Sequence, residues 1–249
     1  MIHMILTSFG PAQVPSGWDG LFQPPLQKEW IDKSLLHMGY PDLTQINPQI
    51  LEKTHDLSAL VTIQAKPFFL FNSARLSRIT KTGFEANGLT ITSRKWGAVA
   101  AMLDTPIELC CFGMTLGDEI ETTNKAMSEK SLTQGFVWDA LCSTLAEYYA
   151  DRVEICLARY YKQNGLKITR RFSPGYCDLP LLQAQKAIFR FCDMEAIGIR
   201  LSSSGWMTPR KSITGMVLAA ENLPVTTPCS VCKRTCPHRR ANDEAVQLP

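Results

Sequence analysis

The sequence lacks an apolar stretch long enough to span a membrane, because charged residues or prolines interrupt every candidate segment. Its first residues also lack the cationic region and sustained apolar segment of a secretory signal peptide. Neither sign of charge dominates, since 26 Lys and Arg residues stand against 23 Asp and Glu residues. A balanced charge gives no general affinity for nucleic acid. We therefore expect a cytoplasmic protein with reduced thiols, no membrane and no nucleic-acid partner.

Histidine is scarce, with 4 residues in the chain, whereas cysteine occurs 9 times. His37 and His55 have no metal-ligand partner nearby in sequence, so a surface or capping role is expected for both. Cys110 and Cys111 lie in an apolar run, residues 107–114, that is typical of a buried strand. Adjacent residues of a strand point to opposite faces, so the pattern predicts two small core side chains instead of one shared site.

Helical and strand patterns are mixed along the chain without regular alternation. Helices are predicted at residues 30–40, 48–57 and 134–160, and strands at residues 68–71, 88–92, 107–114, 199–201 and 212–219. Residues 68–71 and 88–92 are expected to pair as an antiparallel ribbon, and the pattern of residues 95–102 fits a helix or a strand. The mixture predicts an α+β fold in which helices flank a mainly antiparallel sheet.

Three segments differ in composition. Residues 1–27 are interrupted by glycine and proline and are expected to form an irregular arm. Residues 28–226 carry the helical and strand patterns and are expected to form the folded α+β domain. Residues 227–249 are rich in cysteine and too polar to form a core, so we interpret them as a C-terminal tail.

One short stretch combines a turn, an aromatic side chain and a helix start. Pro174 and Gly175 fit the central positions of a type II turn, because proline presets φ and glycine accepts a positive φ. Asp178 is a predicted helix N-cap, and Pro180 suits the first helical turn. A tight turn should therefore present Tyr176 beside a helix N-terminus, ahead of an apolar face formed by Leu181, Leu182, Ile188, Phe189 and Cys192.

The same stretch carries a family resemblance. Arg171-x-x-Pro174-Gly175-Tyr176 resembles the adenosylmethionine-binding signature of the activation domain of cobalamin-dependent methionine synthase. Met207-x-Pro209-x-x-Ser212 resembles the second signature of that family, residues 146–153 its central helix, and residues 113–117 a loop of its stand-alone members. The resemblance covers roughly residues 28–220 and implies an α+β fold like that of the activation domain.

The resemblance implies a site for S-adenosylmethionine. Arg171 would grip the carboxylate of the donor with a charge-assisted fork, and the backbone at Ser173 would meet the adenine. Gly175 would shape the turn, and Tyr176 would stand near the transferred methyl group as the catalytic residue. The alternatives for Arg171 and Tyr176 are a surface cation and a core aromatic. Glu147 and Asp139 are candidates to face the site from the central helix, although a solvated face is the commoner role for a carboxylate.

The implied function is the reactivation of a corrinoid methyltransferase such as methionine synthase, by reductive methylation of cob(II)alamin. Nothing in the sequence resembles the Asp-x-His-x-x-Gly cobalamin-binding motif, so the cobalamin is expected on a partner protein. A flavodoxin or a ferredoxin is the expected electron donor. The corrinoid would perform the chemistry, while this chain would bind the methyl donor and position it.

The tail contains Cys229-x-x-Cys232-x-x-x-Cys236-Pro-His238. Three cysteines with His238 would complete a tetrahedral zinc site, whereas three or four thiolates would hold an iron-sulfur cluster. A flexible tail with free thiols is the third interpretation.

Two other functions are compatible with the sequence. One is a noncatalytic docking module that keeps the fold and uses a metal in its tail to bind a partner. The other is an iron-sulfur reductive activator of a corrinoid protein, which would deliver an electron without a methyl donor. Binding of S-adenosylmethionine is expected of a reactivation protein, and it distinguishes that function from these two alternatives.

Overall fold

The computed structural model describes residues 5–7, 10–11 and 23–229. The strands are β1 (Ile5–Thr7), β2 (Gly10–Pro11), β3 (Phe68–Arg75), β4 (Arg78–Thr80), β5 (Gly83–Ala86), β6 (Leu89–Thr92), β7 (Glu108–Thr115), β8 (Lys167–Ile168), β9 (Arg200–Leu201), β10 (Met207–Thr208) and β11 (Ser212–Ala220). The α-helices are α1 (Gln27–His37), α2 (Pro48–Gln64), α3 (Arg94–Ala100), α4 (Glu119–Lys130), α5 (Leu132–Lys162) and α6 (Leu181–Phe191). Short 3-10 helices lie at Leu43–Gln45 and Met194–Ile197.

A six-stranded sheet with the order β2-β1-β3-β7-β11-β8 forms the centre of the molecule. Strands β3, β7 and β11 pair antiparallel along most of their lengths, and β1 joins the edge of β3 in parallel. A three-stranded sheet (β4-β5-β6) and a β9-β10 pair complete the β structure of the described residues. The predicted α+β fold with a mainly antiparallel sheet flanked by helices is confirmed. Strands β1 and β2 lie within the segment that was expected to be irregular.

The two faces of the central sheet bury different apolar clusters. Cys110 belongs to a cluster formed with α1, α2 and α5, whereas Cys111 belongs to a cluster formed with the small sheet, α3 and α6. Both side chains are fully buried. The predicted placement of these cysteines on opposite faces of one strand is therefore correct.

Local capping explains where α2 begins and where α1 ends. The side chain of Asn47 accepts a hydrogen bond from the Gln49 N–H at 2.9 Å, as expected for an N-cap. Helix α1 is followed, after its C-cap Met38, by a left-handed Gly39 with φ of 95°, the conformation that often terminates a helix. Helix α2 extends seven residues beyond its predicted end at Leu57, and Thr54 is buried, whereas Leu51 is exposed.

Two further expectations about local structure need correction. Residues 68–71 and 88–92 do not pair with each other, because β3 lies in the large sheet and β6 in the small one. The Asn87-Gly88 turn joins β6 to β5 instead, with φ values of 44° and 77° that suit a tight hairpin. The ambiguous residues 95–102 lie mostly in α3, whose N-cap Ser93 accepts from the Trp96 N–H at 3.1 Å.

Helix α4 was not predicted from the sequence. Ile120 is its one buried side chain, so its sequence carries almost no apolar period from which a helix could be inferred. The long helix α5, by contrast, has a broad buried stripe and closely matches the prediction for residues 134–160. Across the residues that the structure describes, no helix combines the length and apolarity needed to cross a membrane.

Candidate functional site

The predicted turn at Pro174-Gly175 is present. The Tyr176 N–H donates to the Ser173 carbonyl at 3.2 Å, and Gly175 has a φ of 90°. A positive φ at the third position is the mark of a type II turn. A second bond, from the Gly175 N–H to the Leu179 carbonyl at 2.9 Å, holds the turn against the chain that follows. The turn leaves the Tyr176 side chain 61% exposed.

Asp178 is not the N-cap of the following helix, contrary to the prediction. The N-cap of α6 is Pro180, and Asp178 lies two residues earlier. Its carboxylate accepts from the Ser93 hydroxyl at 2.6 Å and from the Lys95 N–H at 3.2 Å. Asp178 therefore joins the turn to the N-terminus of α3. Of the predicted apolar face of α6, Ile188 is buried, but Leu181 and Leu182 are exposed.

Both sequence signatures line one open cavity of about 410 Å³. We call residues 171–177 the first wall and residues 205–214 the second wall. A backbone bridge between Phe172 and Met216 of β11 brings them together, because β11 follows the second signature directly. Residues 227–229 of the tail also line the cavity.

Arg171 is 8% exposed and is surrounded by carboxylates of α5. Its Nη2 donates to Glu147 Oε2 at 2.8 Å and to Asp151 Oδ1 at 2.9 Å, and its Nε lies 3.7 Å from Glu154 Oε2. Burial alone would lower the pKa of Arg171, but Asp151 and Glu147 outweigh that effect, and the net pKa is raised. The guanidinium is therefore charged and already engaged with protein carboxylates.

Glu154 is the buried member of this cluster, with 1% of its surface exposed. It accepts a hydrogen bond from the Arg171 backbone N–H at 2.8 Å and lies 3.6 Å from the Nε of Arg170. Burial raises the pKa of Glu154, and Arg170 and the Arg171 N–H offset only part of that rise. The carboxylate thus anchors the backbone of the first wall to α5.

Three cations line the cavity, and they differ in how they are paired. Arg171 is engaged as described, and Lys211 Nζ lies 2.7 Å from Asp139 Oδ1 and donates to the Ser143 hydroxyl at 2.8 Å. Arg210 is exposed, and its guanidinium makes no hydrogen bond or ion pair with the described residues; only its backbone N–H is bonded, to Glu121. Arg210 is therefore the cation of the cavity that is available to an anionic ligand.

Aromatic side chains occupy both the floor and the rim. Trp96 and Phe172 are buried and stack with ring centroids 3.6 Å apart. Trp206 of the second wall is 74% exposed and faces the same cavity as Tyr176. The cavity thus has a packed aromatic floor and two solvent-exposed aromatic residues.

Most of the site residues predicted from the sequence line this cavity. Arg171, Ser173 and Tyr176 all line the cavity, as does Glu147, while Gly175 shapes the turn beside it. Arg210 was not singled out, although it lies within the second signature. The sequence alone does not show that Arg171 and Lys211, the other cations of the cavity, are paired with carboxylates.

The predicted metal ligands lie mostly beyond what the structure covers. Cys229 lines the cavity, whereas Cys232, Cys236 and His238 lie outside the described residues. Within residues 23–229, no group of three or more His, Cys, Asp or Glu side chains is arranged to hold a metal ion.

Comparison with known proteins finds a family model and solved structures that are similar to this chain. Residues 104–224, which include α5 and both walls, match the model of a family described as vitamin B12 dependent methionine synthase, activation domain. Among solved structures, the chain is similar to a crystal structure of the MetH reactivation domain bound to AdoHcy. That similarity has a TM-score of 0.59 and 14% sequence identity, and covers 88% of this chain and 78% of that one. No curated protein matches the chain.

The fold is therefore that of a methionine synthase activation domain. The resemblance inferred from the two signatures is confirmed. The family model matches a shorter region than the predicted residues 28–220, whereas the structural similarity covers 88% of the chain.

Proposed function

We propose that the chain binds S-adenosylmethionine in the cavity between its two walls and supports the reductive methylation of a cobalamin carried by a corrinoid methyltransferase. The observation that carries this proposal is the convergence of both signatures on one cavity. The family match supports the methionine synthase connection, and the structural neighbour was crystallised with AdoHcy.

The charges of the cavity suggest how the amino-acid end of the donor is oriented. Glu147 is the one carboxylate among the described lining residues, and its side chain is 60% exposed, so it is suited to the donor ammonium. The donor carboxylate would meet Arg210, because Arg171 and Lys211 are already paired with protein carboxylates. A charge-assisted hydrogen bond of this kind is stronger than a neutral one.

Arg171 then acts mainly by holding Glu147 and Asp151 in place. A carboxylate that approached Arg171 directly would also approach these two anions, which would repel it. The competing assignment is the one made from the sequence, in which Arg171 itself grips the donor carboxylate. The two assignments predict different effects of substitution.

The remaining first-wall residues would bind the adenine and the sulfonium of the donor. The Ser173 N–H makes no hydrogen bond with the described residues, so it is available to the adenine. Gly175 permits the turn, and the turn places Tyr176 at the exposed side of the cavity. An aromatic face attracts a cation, so Tyr176 is suited to lie beside the sulfonium that carries the methyl group.

The proposed reaction requires one partner for the corrinoid and one for the electron. Reductive methylation adds one electron from a flavodoxin or ferredoxin and the methyl group of the sulfonium to cob(II)alamin, yielding methylcobalamin and S-adenosylhomocysteine. The protein binds the donor, orients its methyl group and leaves the mouth of the cavity open to the corrinoid partner.

Calorimetric titration of the anaerobically purified protein with S-adenosylmethionine tests the proposal. We expect saturable binding that Arg210→Met weakens about tenfold, the effect of losing one charged hydrogen bond. Arg78→Met is the control, because Arg78 is an exposed arginine that does not line the cavity. If Arg171→Met abolishes binding in a folded protein while Arg210→Met leaves it unchanged, the carboxylate belongs to Arg171.

The same titration separates the alternatives. A protein that binds no donor, alone or with a cobalamin protein present, is not a reactivation protein of this kind. The docking-module reading would then stand if a colourless metal is bound in the tail, and the electron-transfer reading if an iron-sulfur absorption band is present.

A further inference from the structure

One buried amide faces the cavity between the two walls from helix α6. Gln185 is 4% exposed and lines that cavity, as does Leu181, which lies one helical turn before it on the same face of α6. The Thr214 hydroxyl, buried in β11, donates to Gln185 Oε1 at 2.8 Å. Gln185 Nε2, by contrast, makes no hydrogen bond with any residue that the structure describes. The amide nitrogen is therefore available to a ligand in the cavity.

An unpaired amide nitrogen at a buried position is unfavourable. It has two N–H groups, and burial of such a group without an acceptor costs free energy, so buried polar groups in folded proteins nearly always have a partner. Gln185 Oε1 retains a second lone pair beyond the one that accepts from Thr214. Gln185 thus presents an N–H group and an acceptor side by side, and a ligand with the complementary pair of groups would satisfy both.

The surroundings of Gln185 suit a flat aromatic base. The stacked rings of Trp96 and Phe172 form the floor of the same cavity. Thr214 lies two residues before Met216 on β11, the residue that bridges Phe172. About 7 Å of strand therefore separates the Gln185 hydrogen bond from the first wall. A purine with one edge at Gln185 accordingly lies near both the aromatic floor and the backbone of the first wall.

We propose that Gln185 binds the edge of the adenine of S-adenosylmethionine and selects adenine over other bases. Its Nε2 donates to a ring nitrogen, and its Oε1 accepts from the neighbouring exocyclic amino group while still accepting from the Thr214 hydroxyl. A glutamine amide and an adenine edge are complementary in this way in the contacts by which proteins recognise adenine in DNA. The inference rests on the proposed function and adds to it the residue that determines the base.

Thr214 makes this contact selective because it orients the amide. With the Thr214 hydroxyl bonded to Oε1, the amide oxygen lies beside the amino group of adenine. A hypoxanthine base has a carbonyl oxygen in place of that amino group, so two acceptors would face each other. The amide could turn over only by giving up the present bond from Thr214. A site built to hydrogen-bond one ligand group rejects an analogue that lacks the group.

Calorimetric titration of the full-length protein with S-adenosylhomocysteine and with S-inosylhomocysteine tests the assignment, because the two ligands differ only in the base. We expect the parent to bind the adenosyl ligand at least about tenfold more tightly. Gln185→Met, which keeps the length of the side chain, should weaken binding of the adenosyl ligand about tenfold and abolish the preference. Thr214→Val should reduce the preference mainly by improving binding of the inosyl ligand, because the amide is then free to turn over.

Gln183→Met is the matched control, because Gln183 is exposed on the same helix and does not line the cavity between the walls. It should keep the parental affinity and preference, and circular dichroism verifies that each variant is folded. A parent that binds both ligands equally well overturns the inference and leaves the proposed function standing, as does a folded Gln185→Met variant that keeps the parental preference. A parent that binds neither ligand overturns the proposed function and this inference with it.

Discussion

One arginine and one aromatic ring in each wall of the cavity are held in opposite ways. In the first wall, Arg171 is buried among carboxylates and Phe172 is stacked on Trp96. In the second wall, Arg210 has no side-chain partner within the described residues, and Trp206 is 74% exposed. The contrast separates two roles that sequence signatures do not distinguish. Arg171 and Phe172 of the first wall stabilise the fold, whereas Arg210 and Trp206 of the second wall are exposed to a ligand.

The difference between Arg171 and Arg210 arises from helix α5. Glu147, Asp151 and Glu154 follow one another at intervals of four and three residues, which places them on one face of the helix. All three carboxylates of that face lie near Arg171, and Glu154 also lies near Arg170, so the face fixes the first wall.

In the second wall, Lys211 makes the corresponding ion pair with Asp139 of α5 at 2.7 Å, whereas no carboxylate of the described residues pairs with the Arg210 guanidinium. The Trp206 N–H is held by the Ser202 hydroxyl at 2.9 Å, but the Trp206 side chain is exposed.

The largest expected effect comes from the aromatic residues of the two walls. Phe172→Ala should lower the free energy of unfolding by about 4 kcal/mol, because it removes a buried ring and leaves a cavity against Trp96. Trp206→Ala should change it by less than about 0.5 kcal/mol, as is usual at exposed positions. Urea unfolding measures both. Similar losses in the two variants would contradict the contrast.

The two arginine variants should differ from each other in free energy of unfolding by somewhat less than the two aromatic variants do. We expect Arg171→Met to cost about 3 kcal/mol, because it leaves Glu154 buried without one of its partners. Arg210→Met, the matched change in the second wall, should leave stability within about 0.5 kcal/mol of the parent. Equal urea midpoints for the two variants would show that the carboxylates of α5 can be buried without Arg171 at no cost in stability.

Substitution of the turn glycine should destabilise the protein in both walls, so the difference between the walls does not extend to these glycines. Gly175 and Gly205 both have a φ of 90°, where a side chain costs about 1 to 2 kcal/mol. A Cβ at Gly205 would also lie 3.1 Å from Leu182 Cδ1, whereas at Gly175 its nearest neighbour is 3.5 Å away. Thermal unfolding should therefore rank Gly205→Ala as the more destabilised variant. Full stability of either variant would mean that its turn can adopt another conformation.

The smallest expected effect concerns pH. Burial raises the pKa of Glu154 in the folded protein, so the folded state binds its proton more tightly than the unfolded chain does. The stability that this proton contributes is present below the ordinary carboxyl pKa and is lost as pH rises through the raised value. Glu154→Gln removes this dependence, so its free energy of unfolding should rise relative to the parent as pH increases. A difference that stays constant between about pH 4 and pH 7 would exclude this role.

Local patterns predicted the parts of this molecule that depend on neighbours in sequence. The Pro174-Gly175 turn, the stripe of α5 and the opposite faces of Cys110 and Cys111 all follow from local rules, and all were predicted. Asp178 was assigned to the wrong helix because its partner, Ser93, lies 85 residues away. The pairing of β6 with β5 instead of β3 is likewise set by the packing of two sheets.

The sequence predicted which segments line the cavity but not which of its charged side chains are already paired. The signatures named the residues that line the cavity, since they carry recognisable residue types at fixed spacing. Which arginine is available to a ligand depends on where the carboxylates of α5 and α4 fall in three dimensions. That information is absent from the local sequence of either signature.

The acidic face of α5 also constrains how this chain can vary in length. One residue inserted between Glu147 and Glu154 would rotate the part of the helix beyond it by about 100°. The three carboxylates would then no longer point to Arg171 together. We expect related chains to accept insertions readily around Ser202–Gly205, and to keep the spacing of this segment of α5 unchanged.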